Sequence, residues 1–473
     1  MSPLETSEIQ AFIIQDYKQM GSSKYYLMHV TDSAIAKKFL SSIAEEITNM
    51  DSSIKEFKLN IGFTSEGLKN IGLDSINIAS FSREFREGMD TDHRNRLLGD
   101  YDSSSPAHWT WGRRKSGNEI IDTIDLILMV FGKDESTADK YYNELKSKFG
   151  DGLKQVHVLN GSPLPNDKEH FGFKDGISQP VIKGSGVSSL PQDEIETGEF
   201  ILGYKNEYHI YPDSPLLKKE QGNPGLLKDD IEYKKYKDLG RNGTYFVLRQ
   251  LKEDVNGFWN SLNERTKNPD GSLNADESIF LAAKMMGRWP SGAPLVKYPE
   301  KDPGGSNNDN DFLYVEEDKH GLKCPFGAHI RRTNPRDHFE ESPPGVSKKL
   351  TRRHRIMRRV RSYGENFIGS PTQHTPIEEV GLLFGCFNAN ISKQFEFIQY
   401  SWANYPKFKQ LYADPDPFIG VREYPKSGEE QNFTIPQETA NRVITGLQNF
   451  VTVKGGAYFF FPSVSTVKFL STI

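Results

Sequence analysis

The stretch YYLMHVTDSAIAKKFLSSIAEEIT, residues 25–48, reads as a strand, a short polar turn and an amphipathic helix. Thr31, Asp32 or Ser33 can cap this helix, because short polar side chains accept the free N–H groups of a first helical turn. The apolar residues of the helix recur at the spacing i, i+3, i+4 and i+7, so they share one face. They are Ala36, Phe39, Leu40, Ile43, Ala44 and Ile47. A one-sided apolar helix directly after a strand predicts a helix that packs on a sheet.

The same order of elements recurs three more times, at residues 124–150, 244–264 and 381–402. Each copy places an apolar strand, such as IDLILMVFG, before a helix with one apolar face, such as ESTADKYYNELKSKFG. Further strand candidates are residues 56–64, 154–161 and 449–463. The pattern predicts an α+β fold of two duplicated ferredoxin-like halves, each an antiparallel sheet with helices packed on one face.

The composition of the chain excludes several classes of protein. Its 473 residues are 26% charged and 36% hydrophobic, as in an ordinary globular protein, and the net charge of -5 gives no basic field for nucleic acid. Its two cysteines, Cys324 and Cys386, are too few for a disulfide framework and suit a reducing compartment. The first residues lack an export signal and the apolar runs are too short to span a bilayer, so we expect a cytoplasmic protein without membrane contacts.

The segment HFGFKDGISQP, residues 170–180, places an acidic side chain among apolar ones. Asp175 precedes Gly176 and lies near Phe171 and Phe173, and apolar neighbours raise the free energy of a bare carboxylate. A tight turn is one explanation, because Asp-Gly is a common turn pair. The other explanation is a chemical role for the carboxylate.

The segment CPFGAHIRRTNPRD, residues 324–337, contains His329 after small residues. An imidazole beside small residues can closely approach a flat ligand or a metal. The alternative is a buried histidine whose ring is satisfied by a backbone carbonyl. A zinc site is poorly supported, because Cys324 and His329 are followed by no second spaced pair of cysteine or histidine.

The segment SKKLTRRHRIMRRVRSYG is strongly basic, with eight lysines or arginines between residues 347 and 361. It can be a solvated charged segment or a patch that binds nucleic acid or phosphate. In a third interpretation its second half is a strand, whose side chains alternate between two faces. Met357, Arg359 and Arg361 would then point one way, and Ile356, Arg358 and Val360 the other. An arginine that points inward would stay charged where a lysine would tend to lose its proton.

These segments together resemble the dye-decolorizing peroxidase family. FGFKDGISQP resembles the GxxDG motif of that family, with Gly172, Asp175 and Gly176 at its fixed positions. AHIRRTNPRD resembles its proximal-histidine segment, MRRVRSYG its distal-arginine segment, and GLLFGCFNANISKQFEFIQ its haem-wall strand and helix. The resemblance covers nearly the whole chain and is closest to the larger, later-diverged subgroup. It implies a ferredoxin-like domain at residues 1–185 and a ferredoxin-like haem-binding domain at residues 186–473.

The resemblance implies that His329 is the axial ligand of a haem b iron. A carboxylate that accepts the other ring N–H of His329 would strengthen its donation to the metal. Glu396, Asp414 and Asp416 are all open as that carboxylate. Cys324, which with Pro325 resembles the Cys-Pro signature of haem-sensing proteins, is a rival ligand.

On the opposite face of the haem, the resemblance assigns a proton shuttle to Asp175. Its carboxylate would move a proton between the two oxygens of hydrogen peroxide, and Arg358 would stabilise the developing negative charge, with Arg359 as the alternative arginine. Leu382 and Phe384 would form an apolar wall over the same face. Phe171 and Phe173, if they line the pocket, would raise the pKa of Asp175 by desolvation, and glycine would let the backbone approach the ligand.

The resemblance therefore implies a haem peroxidase that reduces hydrogen peroxide and oxidises dyes or phenolic donors. Bulky donors would be oxidised at the surface through tryptophan or tyrosine, and the protein would act alone or as a homodimer. A haem-handling protein with incidental peroxidase activity is the alternative, although haem carriage needs neither Asp175 nor a distal arginine. A nucleic-acid binder that uses the basic segment is a third interpretation, which the acidic whole-chain charge disfavours.

Overall fold

The computed structural model describes residues 4–52, 56–113, 123–339, 345–421 and 431–473. The strands are β1 (Ser22–Val30), β2 (Phe57–Phe63), β3 (Leu126–Gly132), β4 (Leu153–Gly161), β5 (Val181–Ile182), β6 (Glu194–Ile195), β7 (Leu216–Leu217), β8 (Lys237–Asp238), β9 (Thr244–Glu253), β10 (Met357–Arg358), β11 (Arg361–Tyr363), β12 (Gly381–Asn388), β13 (Phe433–Ile435), β14 (Arg442–Ile444) and β15 (Val451–Phe461). The α-helices are α1 (Ser33–Ile43), α2 (Ser65–Ile71), α3 (Ser75–Ile78), α4 (Arg83–Glu87), α5 (Asp92–Leu98), α6 (Glu135–Phe149), α7 (Val255–Arg265), α8 (Ala275–Met286), α9 (Tyr314–Asp318), α10 (His329–Thr333), α11 (Val346–Arg352) and α12 (Val464–Leu470).

Within the described ranges, nine strands form one antiparallel sheet. Its order is β10-β12-β9-β15-β2-β3-β1-β4, and β11 pairs with β12 beside β10. β1 to β4 come from the first part of the chain, and β9 to β12 and β15 come from the second. The two sets meet where Phe460 of β15 lies opposite Phe63 of β2. The chain thus has the predicted α+β organisation, and its two strand sets share one sheet. The division at residues 185 and 186 stays a prediction.

The two ends of this sheet approach each other. Directly after β4, the N–H of Ser162 donates to the carbonyl of Ser362 in β11 over 2.9 Å. A Cβ on Gly161 would lie 2.8 Å from the Cβ of Arg361, so the strands approach closely where glycine leaves room. The sheet therefore curves into a barrel. Its interior contains buried aromatic side chains, among them Tyr25, Phe131, Phe246, Phe387 and Phe461.

Helices cover the outer face of the first strand set. The predicted apolar face of α1 is buried against β1 to β3, and Asp32 caps this helix by accepting the N–H of Ile35. α6 buries Tyr141, Tyr142 and Leu145 on the same face of the sheet. The first two strand–helix units are therefore confirmed. Their helices pack there because burying an apolar side chain stabilises by roughly 1.5–3 kcal/mol.

The fourth strand–helix unit has a π-helix where the others have an α-helix. After β12 the chain forms two consecutive π-helical segments, Ser392–Glu396 and Ile398–Asn404. The buried guanidinium of Arg332 binds the carbonyls of Trp402 and Tyr405 at the end of this element, which satisfies groups that a helix end leaves free. π-Helical turns are uncommon and often occur at functional sites. Residues of this element also line the cavity described next.

Candidate active site

A cavity of about 280 Å³ lies on the outer face of the barrel, between strands β9, β12 and β15 and the segments that cover them. The five residues predicted from the sequence, Asp175, His329, Arg358, Leu382 and Phe384, all line it. They come from parts of the chain that lie as far apart as residues 175 and 384. The fold therefore brings the whole predicted site together in one place.

The loop that carries Asp175 is held by its own backbone and by one glutamate. Gly172 has φ +101° and a Cβ there would overlap the carbonyl oxygen of Gly369, while Gly176 has φ +78°. Both conformations favour glycine. The carboxyl of Glu169 accepts the N–H groups of Phe171 and Phe173, each over 2.8 Å.

The glycines serve the turn and the packing of the loop. Neither Gly172 nor Gly176 lines the cavity, and the expectation that glycine lets the backbone approach a ligand stays a prediction. The turn and the chemical interpretation of Asp175 are compatible, because the tight turn is what directs this side chain into the cavity.

Asp175 and Arg358 form an ion pair in the cavity wall. Nη1 of Arg358 donates to Oδ1 of Asp175 over 2.9 Å, and Nη2 donates to the carbonyl of Ile177 over 2.9 Å. Each of the two side chains keeps 28% of its surface exposed. The pair is therefore accessible from the cavity and fixed by the backbone of the loop.

The pKa of Asp175 is lowered. Burial raises it, but the Arg358 guanidinium, the N–H of Gly176 and the more distant Lys18 lower it and together prevail. Phe171 and Phe173 line the cavity, and burial raises the pKa of Asp175 as expected, but the contributions that lower this pKa are larger. A neighbouring cation outweighs the apolar rings, so the aspartate is ionised at neutral pH.

The second half of the basic segment forms two short strands, β10 and β11, instead of one, and the predicted alternation of its side chains is confirmed. Ile356, Arg358 and Val360 line the cavity, whereas Met357, Arg359 and Arg361 are buried on the other side of the strand. Arg359 donates to the carbonyls of Phe12 and Ile13 over 2.7 and 2.8 Å. Of the two candidate arginines, Arg358 is the one that reaches the cavity.

His329 begins helix α10 and faces the cavity from another wall. Its Nδ1 lies 2.9 Å from Oδ2 of Asp416, whose Oδ1 accepts the N–H groups of Phe418 and Ile419. Burial raises the pKa of Asp416, but His329 and these two N–H groups prevail and lower it. The carboxylate is therefore ionised, and this geometry assigns the imidazole proton to Nδ1, which leaves Nε2 free to bind a ligand.

The two other carboxylates proposed for His329 have different neighbours. Glu396 accepts from Nη1 of Arg94 over 2.7 Å and from the hydroxyl of Tyr458 over 2.8 Å. Asp414 is buried beside Arg332, which binds its backbone carbonyl. Of the three candidates, Asp416 is the partner of His329.

An apolar wall closes the cavity on the barrel side. Leu382 lies opposite Leu251 of β9, and Phe384 lies opposite Arg249, so these side chains share one face of the sheet. Val453 of β15 pairs with Leu251 and extends the wall by one strand. Strand alternation sends Leu383 to the barrel interior.

Two arginines at the cavity, the buried Arg336 and the largely buried Arg355, were not identified from the sequence. Arg355 donates to the carbonyl of Ser178 over 2.7 Å and lies 3.7 Å from Asp193. Arg336 donates to the carbonyl of Phe312 over 2.8 Å. Burial lowers the pKa of Arg355 to about 10, so it stays cationic at neutral pH. Both belong to the quoted basic and histidine segments, but only their burial at the cavity distinguishes them from surface arginines.

Several alternatives for the site lose support. Cys324 is buried away from the cavity lining, and burial raises the pKa of its thiol to about 12. Among the described residues, no group of three or more histidine, cysteine or acidic side chains could hold a metal ion.

No helix in the described ranges is long and apolar enough to cross a bilayer. All five tryptophans are buried.

Comparisons with known proteins agree with this architecture. The family model described as the DyP dimeric alpha+beta barrel domain matches residues 5–165. A dye-decolorizing peroxidase of Exidia glandulosa is 27% identical over 99% of this chain and 87% of its own length. A multifunctional dye peroxidase of an Amycolatopsis species is 28% identical over 93% of this chain and 90% of its own.

Solved structures show the same fold over the full length. An ancestral D-type dye-decolorizing peroxidase is 26% identical, covers 100% of both chains and superposes with a TM-score of 0.77. A dye-decolorizing peroxidase in complex with 2,6-dimethoxyphenol is 25% identical, covers 99% of this chain and 100% of its own, and also has a TM-score of 0.77. Barrel, cavity and comparisons together define an oxidoreductase of the peroxidase class. The family model, the curated relatives and the solved structures all indicate the dye-decolorizing peroxidase family.

Proposed function

We propose that the protein is a haem b peroxidase that reduces hydrogen peroxide and oxidises phenolic or dye-like donors. The observation that carries the proposal is the pairing of Asp175 with Arg358 in the same cavity as the pair His329 and Asp416. One pair presents an ionised base and a cation, and the other presents an imidazole whose Nδ1 faces a carboxylate. Transport of haem alone needs no base beside a cation, so this pairing favours the enzyme.

The residues of the cavity fit haem b. Nε2 of His329 would bind the iron, and Asp416 would increase the basicity of the imidazole. Arg355 and Arg336 would pair with the carboxylates of the haem, and Leu382 and Phe384 would contact its apolar face. When bound, the haem supplies an iron that binds peroxide and accepts electrons from donors.

Asp175 would act as the acid and base. Its ionised carboxylate takes the proton from one oxygen of hydrogen peroxide and returns it to the other, so that this oxygen leaves as water. Arg358 stabilises the negative charge that develops on the peroxide oxygens, because its guanidinium lies beside Asp175 in the cavity wall. The lowered pKa of Asp175 keeps the base ionised in mild acid, which supports an acidic optimum.

The proposal also covers the class of electron donor, the oligomeric state and the location in the cell. A structural relative binds 2,6-dimethoxyphenol, which supports phenols as donors. We propose one domain at residues 1–185 and a second at residues 186–473. We also propose a homodimer, which sedimentation can measure. The proposed location is the cytoplasm, which cell fractionation can measure. Two free buried cysteines, Cys324 and Cys386, support a reducing compartment.

The proposal is tested by reconstituting the protein with haem and adding hydrogen peroxide with 2,6-dimethoxyphenol. We expect the wild type to oxidise the phenol and Asp175→Asn to lower kcat/KM for peroxide by roughly 10²–10⁴-fold. His329→Ala should abolish the haem absorption band. Asp167→Asn is the matched control, because Asp167 lies in the same loop but pairs with Lys18 at the surface.

Two outcomes would contradict the proposal. A haem band without a response to peroxide would favour the haem-handling protein. Equal rates for Asp175→Asn and Asp167→Asn would remove Asp175 from the mechanism.

A further inference from the structure

Two buried glutamates line the same cavity as Asp175 and have no role in the mechanism above. Glu169 and Glu253 are 7% and 5% exposed. Oε2 of Glu253 is buried and has no hydrogen-bond partner in the part of the chain that the structure describes. An ionised carboxylate in such a place costs several kcal/mol, roughly, so the group is a carboxylic acid.

The protonation of the three acids differs because their neighbours differ. Burial raises the pKa of Glu253 well above its usual value, and the nearby Glu169 and Asp175 act in the same direction. The N–H of His170 acts to lower this pKa but is outweighed. Burial and the nearby Asp175 raise the pKa of Glu169 to about 8. The N–H groups of Phe171 and Phe173 act to lower this pKa but are outweighed. At neutral pH two protonated acids therefore line the same cavity as one ionised aspartate.

We propose that Glu253 and Glu169 form a buried relay that carries protons from solvent to Asp175. The inference rests on the proposed peroxidase function. Hydrogen peroxide takes up two electrons and two protons and gives two molecules of water. Two donor molecules each lose one electron and one proton. A bulky donor outside the cavity releases its proton to solvent, so the cavity needs its own proton supply.

The structure offers a route from the surface to Glu253. Tyr363 of β11 lies opposite Gly381 of β12, which in turn lies opposite Lys252, the residue before Glu253. The hydroxyl of Tyr363 donates to Oε1 of Glu379 over 3.2 Å, and the side chain of Glu379 is 40% exposed. Protons would pass from Glu379 through Tyr363 and the two buried acids to Asp175.

The relay is surrounded by both basic and acidic groups. Lys252 lies 3.7 Å from Glu379, and both ring nitrogens of His170 face backbone carbonyls, those of Phe367 and Tyr363. Lys168 lies near Glu169 and acts to lower its pKa. The groups that face the two buried acids are Lys168, His170, Asp175 and Tyr363.

The first test measures protonation without the cofactor. Infrared spectra of the haem-free protein at pH 7 should contain the C=O band of a buried carboxylic acid that Glu253→Gln removes. Glutamine keeps the volume of the side chain, and Oε2 of Glu253 has no hydrogen bond to lose within the described residues. The control Glu199→Gln alters a buried acid that lines a separate cavity, so the Glu253 band should persist. A spectrum that Glu253→Gln leaves unchanged would mean an ionised Glu253 and would overturn the relay.

The second test measures turnover with haem bound. Glu253→Gln should lower kcat at pH 7 by roughly tenfold, less than the roughly 10²–10⁴-fold loss expected for a direct acid or base, and leave KM for peroxide unchanged. The deficit should shrink as the pH falls, because hydronium then reaches the cavity, and the solvent deuterium isotope effect should rise. Tyr363→Phe should act in the same direction, whereas Glu199→Gln should match the wild type.

The outcomes separate the relay from the proposed function. Wild-type rates and pH profiles in both Glu253→Gln and Tyr363→Phe would overturn the relay. A change only in KM for the donor would make Glu253 a donor contact and also overturn it. A wild type that oxidises no donor would instead refute the peroxidase function, while the infrared result would still report the protonation of Glu253.

Discussion

The two faces of the segment 356–361, which contains β10 and the first residue of β11, use the same residue type for opposite purposes. Arg359 points to the barrel side, where it donates to the backbone carbonyls of Phe12 and Ile13. Arg358 points to the cavity, where it pairs with Asp175 and remains 28% exposed. An arginine that binds only buried carbonyls stabilises the fold, whereas one that faces a carboxylate across a cavity can act on a ligand.

The largest effect should come from the cavity face. Arg358→Leu should lower kcat/KM for peroxide by roughly 10²–10³-fold, because the variant loses the charge that stabilises the peroxide oxygens. The melting temperature should change little, since the wild-type side chain is partly exposed. Steady-state kinetics and calorimetry measure the two quantities. A large loss of stability with normal kinetics would reverse the assignment of the two faces.

The barrel face should show the opposite behaviour. Arg359→Met should lower the free energy of unfolding by about 2–4 kcal/mol, because the carbonyls of Phe12 and Ile13 lose buried donors. Denaturant unfolding measures this loss, with the exposed Lys349→Met as control. The folded fraction should keep near wild-type kcat. Stability equal to that of the control would show that these carbonyls find other donors.

Asp416, the carboxylate partner of His329, allows a similar comparison between two buried carboxylates on the opposite wall of the cavity. Asp416→Asn should weaken haem affinity by roughly 10–100-fold, because asparagine is a weaker acceptor for the imidazole N–H. Haem titration measures the affinity. Glu396→Gln, in the carboxylate that binds Arg94 and Tyr458, is the comparison variant and should leave haem affinity closer to the wild type. Equal losses in both variants would argue for a general packing effect.

The smallest effect should be a shift in the pH profile. Arg358 is the largest influence that lowers the pKa of Asp175, so in Arg358→Leu burial should prevail and raise this pKa. The base form is lost as the pH falls through the pKa, and the acid limb of kcat/KM should therefore move to higher pH. Residual activity measured across the acid range tests this. An acid limb that stays in place would mean that another group is the base.

Much of the fold was predictable because its signals are local. The helix that begins after Asp32 and the alternation around Arg358 follow from periods of 3.6 and 2 residues. The barrel closure between Ser162 and Ser362 was not predictable, because edge strands distant in the chain leave no shared local pattern. The buried acids Glu169 and Glu253 were missed for the same reason, since a glutamate at a strand end or in a loop reads as a surface residue.

The sequence by itself determined which side chains could serve the site, through the residues around Asp175, His329 and Arg358. Only the tertiary structure decided which of them meet. Asp416 lies 87 positions from His329, and Arg358 lies 183 positions from Asp175. Electrostatic interactions depend on distance in space, so the lowered pKa of Asp175 follows from a cation that the barrel brings beside it.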